Sequence, residues 1–182
     1  SNLGEYLGVW DPSNAQDPRV VVWVSPEGDN EIGDGSRSNP YRTISRALVV
    51  VQAPLKGAAA AVGIALESGV YDEDVVLPED VVLAGAPDAD AIISGQITGA
   101  QGSRLENLEV MPAMKEDVLL TVDDVAMVVR DVTFRGTPET REATGIQVKG
   151  ESAAATVIEG CLFEDLLVGI DIFDRVPIIR LC

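Results

Sequence analysis

The sequence predicts an all-β solenoid of stacked parallel coils, because a short phrase recurs three times. The phrase runs apolar, polar, a residue that tolerates a left-handed backbone, apolar, variable, apolar, and it occupies residues 105–110, 129–134 and 158–163. Its third place is taken by Asn107, Asp131 and Gly160, residue types that adopt positive φ at the least cost. Their separations of 24 and 29 residues are typical of one solenoid coil. We therefore expect equivalent corners at these three positions.

A second repeat lies between the corners and predicts the stacking of the coils. Residues 145–148 (Gly-Ile-Gln-Val) and 169–172 (Gly-Ile-Asp-Ile) are offset by 24, and residues 120–122 (Leu-Thr-Val) are the equivalent segment one coil earlier. Stacked coils bury one continuous apolar column that no single coil can bury alone. The predicted inward rows are Leu120, Ile146 and Ile170, and then Val122, Val148 and Ile172.

The N-terminal part predicts an extended acidic arm over 1–19, a strand over 20–24 and a loop over 27–39. A helix is predicted over 40–53, because Pro40 is favoured in a first turn. One apolar stripe marks this segment, formed by Tyr41, Ile44, Leu48 and Val51.

Short strands are predicted next, over residues 62–66, 75–77, 81–85 and 91–95. We expect one β-helix domain over 20–182, with an N-terminal cap over 20–61 and coils over 62–182. Residues 176–182 predict a strand with no polar cap after it. Because terminal repeats are normally covered, we expect a longer natural chain or self-association through the C-terminal coil.

Composition excludes several classes of function. The net charge is −17, from 30 acidic and 13 basic residues, and such a field repels nucleic acid and anionic lipid. No apolar stretch reaches membrane-spanning length, so we expect no membrane insertion. The chain has no His, which excludes Ser-His and Cys-His catalysis and His metal sites. Two Cys do not make a disulfide framework, and Cys161 is predicted to be a small buried apolar residue.

The N-terminal third resembles a known family. The matching segments are residues 23–29 (Trp-Val-Ser-Pro-Glu-Gly-Asp), 33–36 (Gly-Asp-Gly-Ser), 39–44 (Asn-Pro-Tyr-Arg-Thr-Ile) and 63–71 (Gly-Ile-Ala-Leu-Glu-Ser-Gly-Val-Tyr). They resemble the opening of right-handed parallel β-helix proteins of the pectin-lyase-like superfamily, in particular a domain of unknown function that also opens some pectate lyases. The resemblance implies right-handed coils, an amphipathic helix that caps the N-terminal end, and a secreted or cell-surface location.

The candidate ligand site lies on the outward face of the coils. Two rows are predicted to stack there, Thr121 with Gln147 and Asp171, and Asp123 with Lys149 and Phe173. A sugar ring could stack on the aromatic side chain while its hydroxyls bond the amide and the carboxylate. An ordinary exposed sheet face would show the same residue types, and Asp123-Asp124 is equally typical of a solvated turn.

The loop over 28–35 carries oxygen ligands suited to Ca²⁺, at Asp29, Glu31 and Asp34. Turn-forming Asp and Asn explain the same composition. No other cofactor is predicted.

We therefore expect a secreted or cell-surface β-helix domain, non-catalytic as present, that displays a surface for carbohydrate or protein. The alternative is a polysaccharide lyase or another carbohydrate-active enzyme, whose active site is weak here or lies beyond residue 182. Lyases of the superfamily that the chain resembles use clustered carboxylates to hold Ca²⁺ with an Arg or Lys base. A purely structural spacer remains a third interpretation.

Overall fold

The computed structural model describes residues 20–52, 62–113, 118–140, 142–180 and 182. The predicted acidic arm over 1–19 lies outside these residues. The described chain has one α-helix, α1 (Ile44–Gln52), and one short 3-10 helix (Ser152–Ala155). Its strands, in chain order, are β1 (Val20–Val24), β2 (Val62–Leu66), β3 (Gly69–Tyr71), β4 (Val75–Val76), β5 (Val81–Gly85), β6 (Ala91–Ser94), β7 (Ile97–Thr98), β8 (Arg104–Met111), β9 (Val118–Asp123), β10 (Val128–Arg135), β11 (Thr144–Lys149), β12 (Val157–Glu159), β13 (Leu162–Glu164), β14 (Val168–Ile172) and β15 (Ile178–Arg180).

The fold is predominantly β and its sheets are parallel. The larger sheet has ten strands and follows the order β1-β2-β5-β8-β10-β12-β15, with β3, β6 and β13 paired at its side. The smaller sheet has five strands in the order β14-β11-β9-β7-β4. Every pairing between these strands is parallel. The predicted all-β class is confirmed.

The predicted left-handed bends are present and equivalent. Asn107, Asp131 and Gly160 have φ of 51°, 52° and 65°. In β8 and β10, the register places Glu106 opposite Arg130 and resumes one residue beyond each bend, so the two bends face each other. The bend also divides the pairing, because the first half of β10 pairs with β12 and its second half pairs with β13. The bends at Asn107 and Asp131 therefore redirect a strand without ending it, whereas the bend at Gly160 separates β12 from β13.

The predicted helix begins later than the sequence suggests. The backbone before Ile44 forms hydrogen bonds with β1 and the residue after it. The N–H of Tyr41 donates to the carbonyl of Trp23 at 3.0 Å, and the carbonyl of Tyr41 accepts the N–H of Ser25 at 2.9 Å. The N–H groups of Ile44 and Ser45 are then taken by the Glu73 carboxylate, at 2.8 and 2.9 Å. The start predicted at Pro40 is thus wrong by four residues, because Tyr41 forms a bridge with β1 instead of a first turn.

The helix does bury its predicted stripe. Ile44, Leu48 and Val51 are buried and belong to the main apolar cluster, as does Tyr41 just before the helix. The opposite side carries Val49, which is 60% exposed. The helix contacts β1 and β2, the first strands of the larger sheet, and so covers core side chains at that end.

The strands near the N-terminus are buried on both faces. Every residue of β2 and β5 is buried, and four of the five residues of β1 are. A second apolar cluster covers the face turned away from the main core, formed by Val21, Trp23, Ala65, Val82, Ala84 and Ala86. Later strands such as β9 and β11 bury the residues that face the core, while most of the residues on their other face are partly buried or exposed. A face accessible to a ligand is therefore found in the later part of the described chain.

The last strands expose apolar side chains. Ile178 and Ile179 of β15 are each 42% exposed, and Ile172 of β14 is 36% exposed. The strands β13, β14 and β15 each have a paired neighbour on one side within the described residues. Self-association through these strands stays a prediction.

Candidate functional site

The smaller sheet aligns the first predicted row. Gln147 of β11 is paired with Thr121 of β9 on one side and with Asp171 of β14 on the other. The three side chains are half-buried, whereas the intervening Ile146 is fully buried. The alternation places the row on the outward face of the sheet, as a strand with a two-residue period requires.

The same register confirms that the predicted inward residues are aligned, and their burial is complete in β9 and β11. Ile146 lies opposite Leu120 and Ile170, and Val148 lies opposite Val122 and Ile172. Leu120, Ile146 and Val148 are completely buried. Because a slip of one residue would turn these side chains outward, their burial fixes which residues form the exposed face.

The outward row is longer than the sequence indicated. Thr98 of β7 is paired with Thr121, and Val76 of β4 is paired with Thr98. Both side chains are exposed, so the row continues over five strands. The strands β4 and β7 have two residues each, which is too short for alternation to show in the sequence.

The second predicted row contains an ion pair. Lys149 is the register partner of Asp123, and its Nζ lies 3.1 Å from Oδ2 of that carboxylate. The side chains are 40% and 57% exposed, so water screens the pair and its contribution to stability is small. Phe173 donates its N–H to the carbonyl of Val148 at 2.8 Å, which extends the pairing of β11 and β14 by one residue. Phe173 itself is 49% exposed.

Asp124 is a turn residue and is not part of the row. It has φ of 52° and its Oδ1 accepts the N–H of Ser152 at 3.0 Å. That hydrogen bond lowers the pKa of the Asp124 carboxyl below its usual value. Of the adjacent Asp pair, one residue therefore belongs to the exposed face and the other closes the turn after β9.

The outward face of the smaller sheet, defined by Thr121, Gln147, Asp171, Asp123, Lys149 and Phe173, is hereafter the ladder face. Its single ammonium group is already engaged by Asp123. Asp171 makes no ion pair with any described residue. Among the described residues, the ladder face thus offers an amide, a hydroxyl, a carboxylate with no ion-pair partner and an aromatic ring.

The predicted calcium loop uses its carboxylates to hold its own backbone. Oδ1 of Asp29 accepts the N–H groups of Glu31 and Ile32 at 2.7 and 3.1 Å, and Oδ1 of Asp34 accepts the N–H of Ser36 at 2.9 Å. The two backbone bonds lower the pKa of the Asp29 carboxyl, and hydrogen bonds from the Ser36 side chain and N–H lower the pKa of the Asp34 carboxyl. Within the part of the chain that the structure describes, no group of three or more His, Cys, Asp or Glu side chains is arranged to hold a metal ion. Calcium at Asp29, Glu31 and Asp34 stays a prediction.

A shallow cavity of about 420 Å³ lies on the larger sheet, away from the ladder face. It opens beside the left-handed residues Asn107 and Asp131, and Asp90 and Glu109 also line it. Glu109 is paired with Arg135 at 3.4 Å. No sequence pattern indicated this cavity, because Asp90 precedes the repeating phrase and is brought beside the bend by the pairing of β6 with β8.

Comparison with known proteins gives no further assignment. No protein-family model matches the sequence, no curated protein is significantly similar to it, and no solved structure matches the fold. None of the helices in the described residues has the length and hydropathy of a membrane span.

Proposed function

We propose that this chain is a right-handed parallel β-solenoid domain, secreted or at the cell surface, that binds carbohydrate through the ladder face. The proposal rests on one observation. Polar side chains of the same outward register recur on neighbouring strands, and a half-exposed aromatic ring stands at the end of the second row. Parallel strands are about 4.8 Å apart, so such rows present a repeating set of hydrogen-bonding groups along the sheet.

The larger sheet supports the solenoid part of the proposal. Segments separated by 20 to 30 residues pair in parallel, and three of them bend at left-handed residues of equal register. Parallel strands need a crossover between them, and stacking each repeat on the one before provides it without a covering layer of helices. The resemblance of the N-terminal segments to pectin-lyase-like proteins points the same way.

The charges of the ladder face favour a neutral glycan over an acidic one. Lys149 is held by Asp123, and the Asp171 carboxylate pairs with no cation among the described residues. The whole chain has a net charge of −17, which adds repulsion toward a polyuronate at low salt. A neutral sugar would hydrogen-bond Gln147 and Thr121 and stack on Phe173 with no such penalty.

Phe173→Ala tests the proposal directly. Loss of the stacking surface should weaken oligosaccharide binding by about 1 kcal/mol or more, which is roughly a fivefold rise in Kd. Isothermal titration calorimetry against a panel of neutral and acidic oligosaccharides measures the change. Leu167→Ala is the matched control, because Leu167 is 68% exposed just before β14 but lies outside both rows.

Binding of neutral glycans that Phe173→Ala weakens and Leu167→Ala leaves unchanged would support the proposal. If the wild-type protein binds none of the panel, the proposal fails. Release of unsaturated sugars during the titration, seen by ultraviolet absorption, would instead establish the polysaccharide-lyase alternative.

A further inference from the structure

The two cysteines occupy equivalent places on neighbouring parallel strands. In the pairing of β12 with β15, Glu159 lies opposite Arg180. Cys161 and Cys182 each follow two residues later, so the same register places them opposite each other. Cys161 is buried and Cys182 is exposed, and both are free thiols.

Their contacts repeat from one strand to the next. Each Sγ lies near the carbonyl of the residue two positions before it, at 3.5 Å for Cys161 and 3.4 Å for Cys182. Each also lies 3.8 Å from a carbonyl on the preceding strand, that of Val129 for Cys161 and that of Ile158 for Cys182. Because Val129 and Ile158 are themselves register partners, the two thiols point the same way, one strand apart.

This arrangement suits a disulfide with a small adjustment. Adjacent strands are about 4.8 Å apart, which lies within the range of roughly 4.4–6.8 Å between the Cα atoms of bonded cysteines. The Cβ atoms must approach to about 4 Å, closer than the strand spacing. Cys182 can supply this movement, since it follows β15 and is exposed.

We propose that Cys161 and Cys182 form an intramolecular disulfide that fastens β15 to β12 when the protein meets an oxidised low-molecular-weight disulfide. The Cys182 thiolate attacks one sulfur of the small disulfide, forms a mixed disulfide and releases one small thiol. The Cys161 thiol then loses its proton and attacks the Cys182 sulfur, which releases the second small thiol. Two protein thiols are oxidised and one small disulfide is reduced to two thiols, so atoms and electrons balance.

Burial sets the order of the two steps. Desolvation, with a smaller contribution from the neighbouring Cys182 thiol, raises the pKa of Cys161 to about 12. The thiolate is the attacking form, so the exposed Cys182 reacts first and Cys161 resolves the mixed disulfide. The bond depends only on the register of β12 and β15 and does not require the proposed carbohydrate function.

The test treats dilute reduced protein with oxidised glutathione and records intact masses without reductant. The wild-type chain should lose two hydrogens, carry no glutathione, and return to its starting mass with dithiothreitol. Proteolysis should give one peptide pair joined through Cys161 and Cys182. Because the bond restrains a loop of 20 residues, oxidised protein should also melt several degrees higher, about 3 °C or more, than reduced protein.

Two variants separate the steps. Cys161→Ala should retain a glutathione adduct on Cys182, since nothing resolves it. Cys182→Ser should leave Cys161 unmodified, since that thiol is buried. A stable glutathione adduct on the wild-type chain, a dimer linked through Cys182, or two unreacted thiols would each overturn the proposal.

Discussion

Left-handed backbone explains part of the acidity of this chain. Among the described residues, the non-glycine positions with positive φ are all Asp or Asn: Asp80, Asp88, Asn107, Asp124, Asp131, Asp165 and Asp174. Short polar side chains tolerate this conformation by bonding nearby backbone. Asn107 does so visibly, since its Nδ2 donates to the carbonyls of Gly85 and Ala86 at 3.1 and 3.2 Å. Several carboxylates are therefore present for backbone conformation, and the net charge alone says little about a ligand.

Asn107→Ala should destabilise the fold by about 1–3 kcal/mol, measured by urea unfolding. The substitution forces a Cβ-bearing residue without a bonding side chain into the left-handed region and leaves two carbonyls without their donor. Asn107→Gly is the control, because glycine adopts the same φ freely and loses only the side-chain bonds.

Asn107→Gly should accordingly fall between the wild-type protein and Asn107→Ala. Equal stability of Asn107→Ala and the wild-type protein would show that this residue is not a left-handed bend.

The sequence predicted the bends at Asn107, Asp131 and Gly160 because their residue types repeat at one place of a phrase. It did not predict that Glu73 caps α1, where its carboxylate accepts the first N–H groups of the helix from 29 residues away. Caps are normally supplied by the residue before a helix, and a cap from a distant turn leaves no local pattern. The ion pairs of Arg130 also leave no local pattern. Strand pairing alone brings its guanidinium within 3.7 Å of the carboxylates of Glu106 and Glu159.

Secondary-structure elements were predictable where alternation or a helical stripe was long enough. The strands β9, β11 and β14 pair in the predicted register, and β9 and β11 bury their predicted inward residues, whereas Ile172 of β14 is 36% exposed. The start of α1 was not predictable, because the apolar side chain of Tyr41 fits the helical stripe while its backbone pairs with β1. Periodicity reports which side chains are buried, and several backbone conformations can bury the same residue.

Ile44→Asp should reduce the free energy of unfolding by several kcal/mol, about 3 or more, as measured by chemical denaturation. Ile44 is completely buried in the main apolar cluster, so the substitution places a charge among apolar side chains. Val49→Asp introduces the same charge into the same helix at a 60% exposed position and serves as the control.

Val49→Asp should change stability by less than about 1 kcal/mol, owing only to the lower helix propensity of Asp. If Ile44→Asp were no more destabilising than Val49→Asp, the helix would not cover the core.

The whole molecule is organised by strand pairs that are distant in sequence and close in space. Strands buried on both faces near the N-terminus give way to strands with one accessible face later in the described chain. The unbroken apolar runs of β1, β2 and β5 are typical of burial on both faces, but which residues cover the second face does not follow from the runs themselves. The ladder face follows from the later, alternating strands, and this is why its rows could be predicted.

The proposed ladder face depends on parallel pairing of β9, β11 and β14 in this register. Nuclear Overhauser contacts between backbone amides in isotope-labelled protein measure it most directly. Parallel pairing predicts contacts from Gln147 to both Thr121 and Asp171, with no close Hα–Hα contacts between β9, β11 and β14. Strong Hα–Hα contacts between these strands, which mark antiparallel neighbours, would contradict it.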